Sequence, residues 1–201
     1  LKRAVVLDRD GTLVDVVRDE ETGAIVTAFH PSQLRLLPGV VDGLRALASA
    51  GFELAIATNQ PGPAKGQYSR ASVERTNAAL VALLAREGVT IAKVATCMHH
   101  PDGGPGGDPS LVGPCECRKP KPKMLLDLQR DLGFEPSASW MIGDTTSDVE
   151  AGRAARMRTA LIFDERRCEL CPLRGGPKCS PDVHARNFEA VATAILGSSA
   201  T

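Results

Sequence analysis

The chain has 201 residues, is 43% hydrophobic, and carries 24 Lys+Arg against 24 Asp+Glu. That length suits one folded unit with a real core, expected here to run over 1–201. Zero net charge gives no overall pull toward nucleic acid, and no apolar run approaches the ~20 residues that cross a bilayer, so neither nucleic acid nor membrane is an expected partner.

Leu1 to Val6 is a short strand-like run without signal-peptide organisation, so a cytoplasmic protein is the expectation; a monomer is expected as well. Val5-Val6-Leu7 reads as a buried strand that ends in the polar turn Asp8 to Thr12. Residues 14–37 form a long mixed connection. Pro38-Gly39 then opens a helix with Val40, Val41, Leu44, Leu47 and Ala48 on its apolar face, closed by Gly51. Phe52 to Ala57 is a second strand, running into Thr58-Asn59-Gln60, and Pro61 to Gly66 reads as a Gly/Pro loop.

Ser69 suits the N-cap of a helix reaching about Glu87. Val89 to Cys97 alternates as a third strand, and 99–122 is too rich in Gly and Pro for regular structure. Pro122 to Leu132 is helical, Trp140 to Ile142 a fourth strand, Ser147 to Arg156 helical, and Thr159 to Phe163 a fifth strand. A Cys-rich loop follows at about 165–181, then a short strand from Asp182 to Ala185 and a last helix from Asn187 to Leu196. Alternating strands and helices predict an α/β fold: a doubly wound parallel sheet of Rossmann-like form. Ligands of such sheets bind at the carboxyl ends of the strands. Asp8 to Thr12, Thr58 to Gln60 and Gly143 to Asp148 all fall there.

Phosphoryl transfer needs a nucleophile, a proton carrier and cations on the phosphoryl oxygens. Asp8 and Asp10, two apart beyond a strand end, can fill the first two roles. Asp144 and Asp148 add oxygen ligands of the kind Mg²⁺ takes. Thr58 and Asn59 can donate hydrogen bonds to phosphate, and Lys119 can supply charge. Each fragment alone is an ordinary turn. Three in order at successive strand ends carry much more weight.

Leu7-Asp8-Arg9-Asp10-Gly11-Thr12, Thr58-Asn59-Gln60, Lys119 and Gly143-Asp144-Thr145-Thr146-Ser147-Asp148 resemble the motifs of the haloacid dehalogenase superfamily of phosphohydrolases. The resemblance runs from residue 4 to about 163. It implies that Asp8 attacks phosphorus and forms an aspartyl phosphate, while Asp10 protonates the leaving group and then activates water. Mg²⁺ would be held by Asp8, the backbone carbonyl of Asp10, and Asp144. Asp148 would give support, through a water or by orienting Lys119. Thr58, Asn59 and Lys119 would hold the phosphoryl group.

Cys97-Met98-His99 and Cys115-Glu116-Cys117 are paired ligands at the two ends of a loop of 15 residues, a spacing that suits a tetrahedral Zn²⁺. Free thiols in a flexible loop are the alternative, and His100 competes with His99. Followed by Arg118-Lys119-Pro120, this zinc loop at 97–117 resembles that of the D-glycero-D-manno-heptose 1,7-bisphosphate phosphatases and the related histidinol-phosphate phosphatases. Both are small and lack a large cap domain. The implied substrate is a small phosphorylated sugar losing its 7-phosphate, with histidinol phosphate as the alternative. Arg118 faces a second phosphate in this reading, because Arg binds phosphate bidentately; Lys121 and Lys123 read better as solvated charges. A polynucleotide 3′-phosphatase shares the first motif but should be basic and aromatic-rich. This chain has one Trp and one Tyr.

Three features depart from the resemblance. The 14–37 connection is long for such a compact enzyme. Thr145 stands where some heptose enzymes have Lys. Cys168, Cys171 and Cys179 form an extra cluster that, with His184 nearby, is a candidate second metal site, against a disulfide or a plain reduced loop.

Overall fold

The computed structural model describes residues 1–18, 25–163 and 179–198. The expected 165–181 loop, with Cys168 and Cys171, lies almost wholly outside the described residues.

Six strands form one sheet: β1 (Arg3–Leu7), β4 (Phe52–Asn59), β5 (Lys93–Cys97), β6 (Trp140–Gly143), β7 (Arg158–Ile162) and β8 (Val183–Ala185). Their spatial order is β5-β4-β1-β6-β7-β8, and every neighbouring pair is parallel. The chain therefore moves outward from β1 to β5, then returns to β6 on the other side of β1. At that reversal the loops after β1 and β6 leave in opposite directions and open a crevice. β2 (Val17–Arg18) and β3 (Ile25–Val26) form a separate antiparallel pair within the 14–37 connection.

Alternation along β1 sets the two layers. Val5 and Leu7 face a core with Leu44 and Leu47 of α1 (Val40–Ser49), Leu80 and Leu84 of α3 (Arg70–Arg86), and Phe188 and Val191 of α6 (Phe188–Ser198). Ala4 and Val6 face the opposite core, with Met124, Leu125 and Leu128 of α4 (Lys123–Leu132) and Ala151 of α5 (Thr146–Ala154). Helices thus cover both faces, as the alternation of elements predicts. In α1 the buried Val40, Leu44 and Leu47 recur at helical spacing.

Two local readings change. Lys65 N donates to Pro61 O at 3.1 Å, so part of the Gly/Pro stretch closes as a short helix, α2 (Gly62–Lys65), ended by left-handed Gly66. The third strand begins at Lys93 and not Val89, because Val89 N donates to Leu84 O (2.9 Å) in the turn that ends α3. Among the described residues no helix is long and apolar enough to cross a membrane.

Candidate active site and cysteine cluster

Asp8 is the first residue beyond β1, and Asp144 the first beyond β6, so both stand at the reversal point of the sheet. Asp8 N donates to Ile142 O at 2.8 Å, which ties the end of β1 to β6. Gly11 has φ +84, and a β-carbon there would lie 2.1 Å from Asp144 Oδ2. Its missing side chain makes room for Asp144. Gly143 is tight for a similar reason: a β-carbon would meet Asp148 Cγ at 2.2 Å.

Oxygens of Asp8, Asp144 and Asp148 lie within 4.8 Å of one another. One buried cation stands among them. Lys119 Nζ is 2.7 Å from Asp8 Oδ1, 2.6 Å from Asp148 Oδ1 and 2.7 Å from Ala57 O. Asp148 splits its carboxylate: Oδ1 faces Lys119, while Oδ2 accepts from Thr145 N (3.0 Å) and Thr145 Oγ1 (2.6 Å) at the start of α5. Asn59 Nδ2 donates to Lys119 O and Asn59 Oδ1 accepts from Lys119 N, both at 3.1 Å. Both ends of this amide are therefore used on the main chain of Lys119. Asn59 thus seats the lysine, and the second hydrogen of its Nδ2 is left for another acceptor. Thr58 Oγ1 accepts from Gln60 Nε2 at 2.9 Å.

Three carboxylates against one ammonium leave excess negative charge in a buried place. Burial pushes the Asp8 carboxyl up to about 6, against the pull of Lys119 and with a push from Asp148. Burial, with Asp8 and Asp148 nearby, raises Asp144 well above the carboxylate range. Burial alone would lower the Lys119 ammonium, but Asp148 and Asp8 outweigh it and raise it. Asp144 Oδ1 is buried and has no hydrogen-bond partner among the described residues. A divalent cation suits this donor set, because it would both partner that oxygen and balance the charge.

Asp10 is not part of that carboxylate group. Its Oδ2 accepts from Arg9 Nε (2.9 Å) and Gln60 Nε2 (2.6 Å), and its Oδ1 from Arg9 Nη2 (3.1 Å) and Ala28 N (3.2 Å). The motif reading assigned no role to Arg9, and Gln60 entered only as part of the second motif. Nearby, Thr27 Oγ1 and Tyr68 Oη are 2.8 Å apart, and the Phe29 and Tyr68 rings stack at 5.1 Å.

The loop after β5 brings Cys97, His99, Cys115 and Cys117 together. Cys97 Sγ is 3.8 Å from His99 Nδ1, 3.8 Å from Cys115 Sγ and 2.9 Å from Cys117 Sγ. Cys117 Sγ is 3.4 Å from His99 Nδ1. Ligands of a tetrahedral zinc stand about 3.5–3.8 Å apart, so the Cys97–Cys117 spacing is clearly short for it and Cys117–His99 is at the lower edge. His100 turns away: its Nδ1 accepts from Asp102 N at 3.3 Å. Burial raises the Cys97 thiol, a cost that a bound cation would remove. Beside this cluster a cavity of about 230 Å³ is lined by Pro101, Gly113, Arg118, Lys119 and Lys121, among others. Arg118 Nη1 donates to His99 O at 3.4 Å. Lys121 and Lys123 make exposed pairs with Glu116 and Asp127, as solvated charges do. Cys179 is half-buried beside Val149, Leu161 and Phe163, and His184 is exposed on β8.

The fold and this carboxylate site are those of the HAD-type hydrolases, and a HAD-hydrolase-like family model matches residues 116–169. The D-glycero-beta-D-manno-heptose-1,7-bisphosphate 7-phosphatase of Yersinia pestis is 34% identical over 159 residues, 79% of this chain and 79% of that protein. The enzyme of the same name from Escherichia coli K12 is 33% identical over 79% of this chain and 78% of its own. A crystal structure of D,D-heptose 1,7-bisphosphate phosphatase from B. bronchiseptica, complexed with magnesium and phosphate, superposes with TM-score 0.76 at 26% identity, covering 98% of this chain and 99% of that one. The chain belongs to this heptose bisphosphate phosphatase family within the HAD-like hydrolases.

Proposed function

We propose that the protein is a Mg²⁺-dependent phosphatase that removes the 7-phosphate of D-glycero-D-manno-heptose 1,7-bisphosphate through a phosphorylated Asp8. The observation that carries this is the buried Asp8–Asp144–Asp148 group with the Lys119 ammonium among its carboxylates. Asp8 Oδ adds to phosphorus, and the bond from phosphorus to the sugar oxygen breaks. Asp10 gives its proton to that oxygen, so the sugar leaves as an alcohol. Asp10, now a carboxylate, takes a proton from water as the water oxygen adds to phosphorus. The bond from phosphorus to Asp8 breaks, which restores the Asp8 carboxylate and frees inorganic phosphate. Arg9 and Gln60 set the position from which Asp10 does this.

Asp8, Asp144 and the Asp10 carbonyl would hold the Mg²⁺, which would draw charge from the phosphoryl oxygens when bound. Lys119 supplies positive charge to the phosphoryl group and fixes Asp8. Thr58 stands at the end of β4 as a phosphate donor. Arg118, at the rim of the cavity beside Lys119, takes the second phosphate. Cys97, His99, Cys115 and Cys117 would hold a Zn²⁺ in a structural role, because four protein ligands leave no open position for chemistry. Held together in this way, the four ligands would fix the loop that supplies Arg118 and Lys119.

Phosphorus NMR of the product tests the reading. Loss of the 7-phosphate with the 1-phosphate retained, abolished by Asp8→Asn, is the expected result. Removal of the 1-phosphate, or full activity in Asp8→Asn, would overturn it.

A further inference from the structure

Arg9 is fully buried, 0% exposed, in a sequence where its two neighbours carry the proposed chemistry. A buried guanidinium must be satisfied by several acceptors. Nε and Nη2 form a fork onto the two oxygens of Asp10, and Nη2 also donates to Ala28 O at 2.6 Å. Nη1 donates to Asn77 Oδ1 at 2.7 Å. Asn77 sits in the middle of α3, far from every motif in the sequence, and its Nδ2 donates to Thr96 Oγ1 on β5 at 3.0 Å. A chain of hydrogen bonds thus runs from β5 through α3 to Asp10.

We propose that Asn77 is a positioning residue of the reaction: by holding the Arg9 guanidinium it fixes the place from which Asp10 moves protons. This rests on the reading of Asp10 as the proton carrier. The physical reason is geometric. Arg has long rotamer freedom, and a fork on a neighbouring carboxylate orients that carboxylate only if the guanidinium plane is itself fixed. The Ala28 carbonyl and the Asn77 amide fix it at two points on its far side. Losing one of them lets the Arg9–Asp10 pair rotate together, which displaces the proton carrier while Asp8, Asp144 and Lys119 keep their own contacts. Asn77 touches none of those three residues in any hydrogen bond described above.

The distinguishing readout is the leaving group. The sugar alkoxide needs a proton to depart, whereas the p-nitrophenolate of p-nitrophenyl phosphate departs without one. The full chain with Mg²⁺ is assayed on the heptose bisphosphate and on p-nitrophenyl phosphate, with Asn77→Leu, Asn77→Asp and Asp10→Asn. Asn77→Leu is expected to lower kcat/KM on the bisphosphate about tenfold and on p-nitrophenyl phosphate about twofold or less, a loss in the range that small displacements of catalytic groups produce. Asn77→Asp keeps the acceptor for Arg9 Nη1 and should restore most of the difference. If Asn77→Leu does not fold, Thr96→Val, which removes only the support of Asn77, takes its place with the same selective loss expected.

Equal losses on both substrates, or no loss on either, would overturn the proposal. If Asp10→Asn shows the selective loss and neither Asn77→Leu nor Thr96→Val does, Asn77 has no positioning role and the reading of Asp10 stands. If Asp10→Asn leaves the bisphosphate reaction intact, the reading of Asp10 has failed, and the inference with it.

Discussion

Lys119 and Asp148 are both almost wholly buried, and Lys119 Nζ stands 2.6 Å from Asp148 Oδ1. The lysine comes from the loop after the cysteine cluster and the aspartate from the first turn of α5, so this one contact joins the metal loop to the carboxylate group. Removing one partner of a buried pair leaves the other charge stranded, at a cost of about 3–5 kcal/mol. Lys119→Met should therefore lower the thermal midpoint markedly and abolish turnover. Adding Asp148→Leu should recover part of the stability and none of the activity, as read by calorimetry and phosphate release on the same samples.

Gly11 supplies a second prediction. With φ +84 and a β-carbon position 2.1 Å from Asp144 Oδ2, Gly11→Ala has both backbone strain and a collision to absorb. The strain alone should cost about 1 kcal/mol or more. The displaced Asp144 should also weaken Mg²⁺ activation, seen as a higher Mg²⁺ concentration for half-maximal rate.

The cysteine cluster makes a third. Metal analysis should find zinc in the protein, with one equivalent per chain lost in Cys97→Ser. A strong chelator should lower the thermal midpoint, because the 99–122 segment has little regular structure of its own beyond a short 3₁₀ turn at Pro109–Leu111. Activity should fall with zinc even when Mg²⁺ is saturating, since Arg118 and Lys119 follow the last ligand directly.

Asp182 gives a pH prediction. Burial would raise its carboxyl, but hydrogen bonds from Thr159 N (2.7 Å) and Thr159 Oγ1 (2.9 Å) outweigh that and hold it below the usual value. A carboxyl lowered on folding adds stability above its unfolded pKa of 3.8, and that stability is lost as pH falls through the lower folded value. Asp182→Asn should destabilise the protein at neutral pH, with the gap to the parent chain closing in strong acid.

The parts legible in the sequence are those written locally. The buried runs Val5-Val6-Leu7 and Trp140-Met141-Ile142 marked central strands, and the Asp-rich turns after them marked the site. Ser69 marked the start of α3, where its hydroxyl accepts from Ser72 N at 3.1 Å. The alternating pattern from Val89 was misleading, because Val89 is buried by the turn ending α3 and not by strand pairing. That Asn59 also seats Lys119, 60 positions away, is not legible in the sequence, because nothing local shows the contact. The support of Asp10 was illegible for the same reason. Arg9 lies within the first motif, but its partner Asn77 is an unremarked polar residue on a helix 68 positions later.

The most direct test of the central claim is phosphate release with Mg²⁺ from heptose 1,7-bisphosphate and from histidinol phosphate in parallel, with Asp8→Asn as control. The expected result is a kcat/KM at least about a hundredfold higher for the bisphosphate, given the two charged phosphates it offers to Lys119 and Arg118, and no turnover in the control. A preference for histidinol phosphate, or turnover that survives Asp8→Asn, would contradict it.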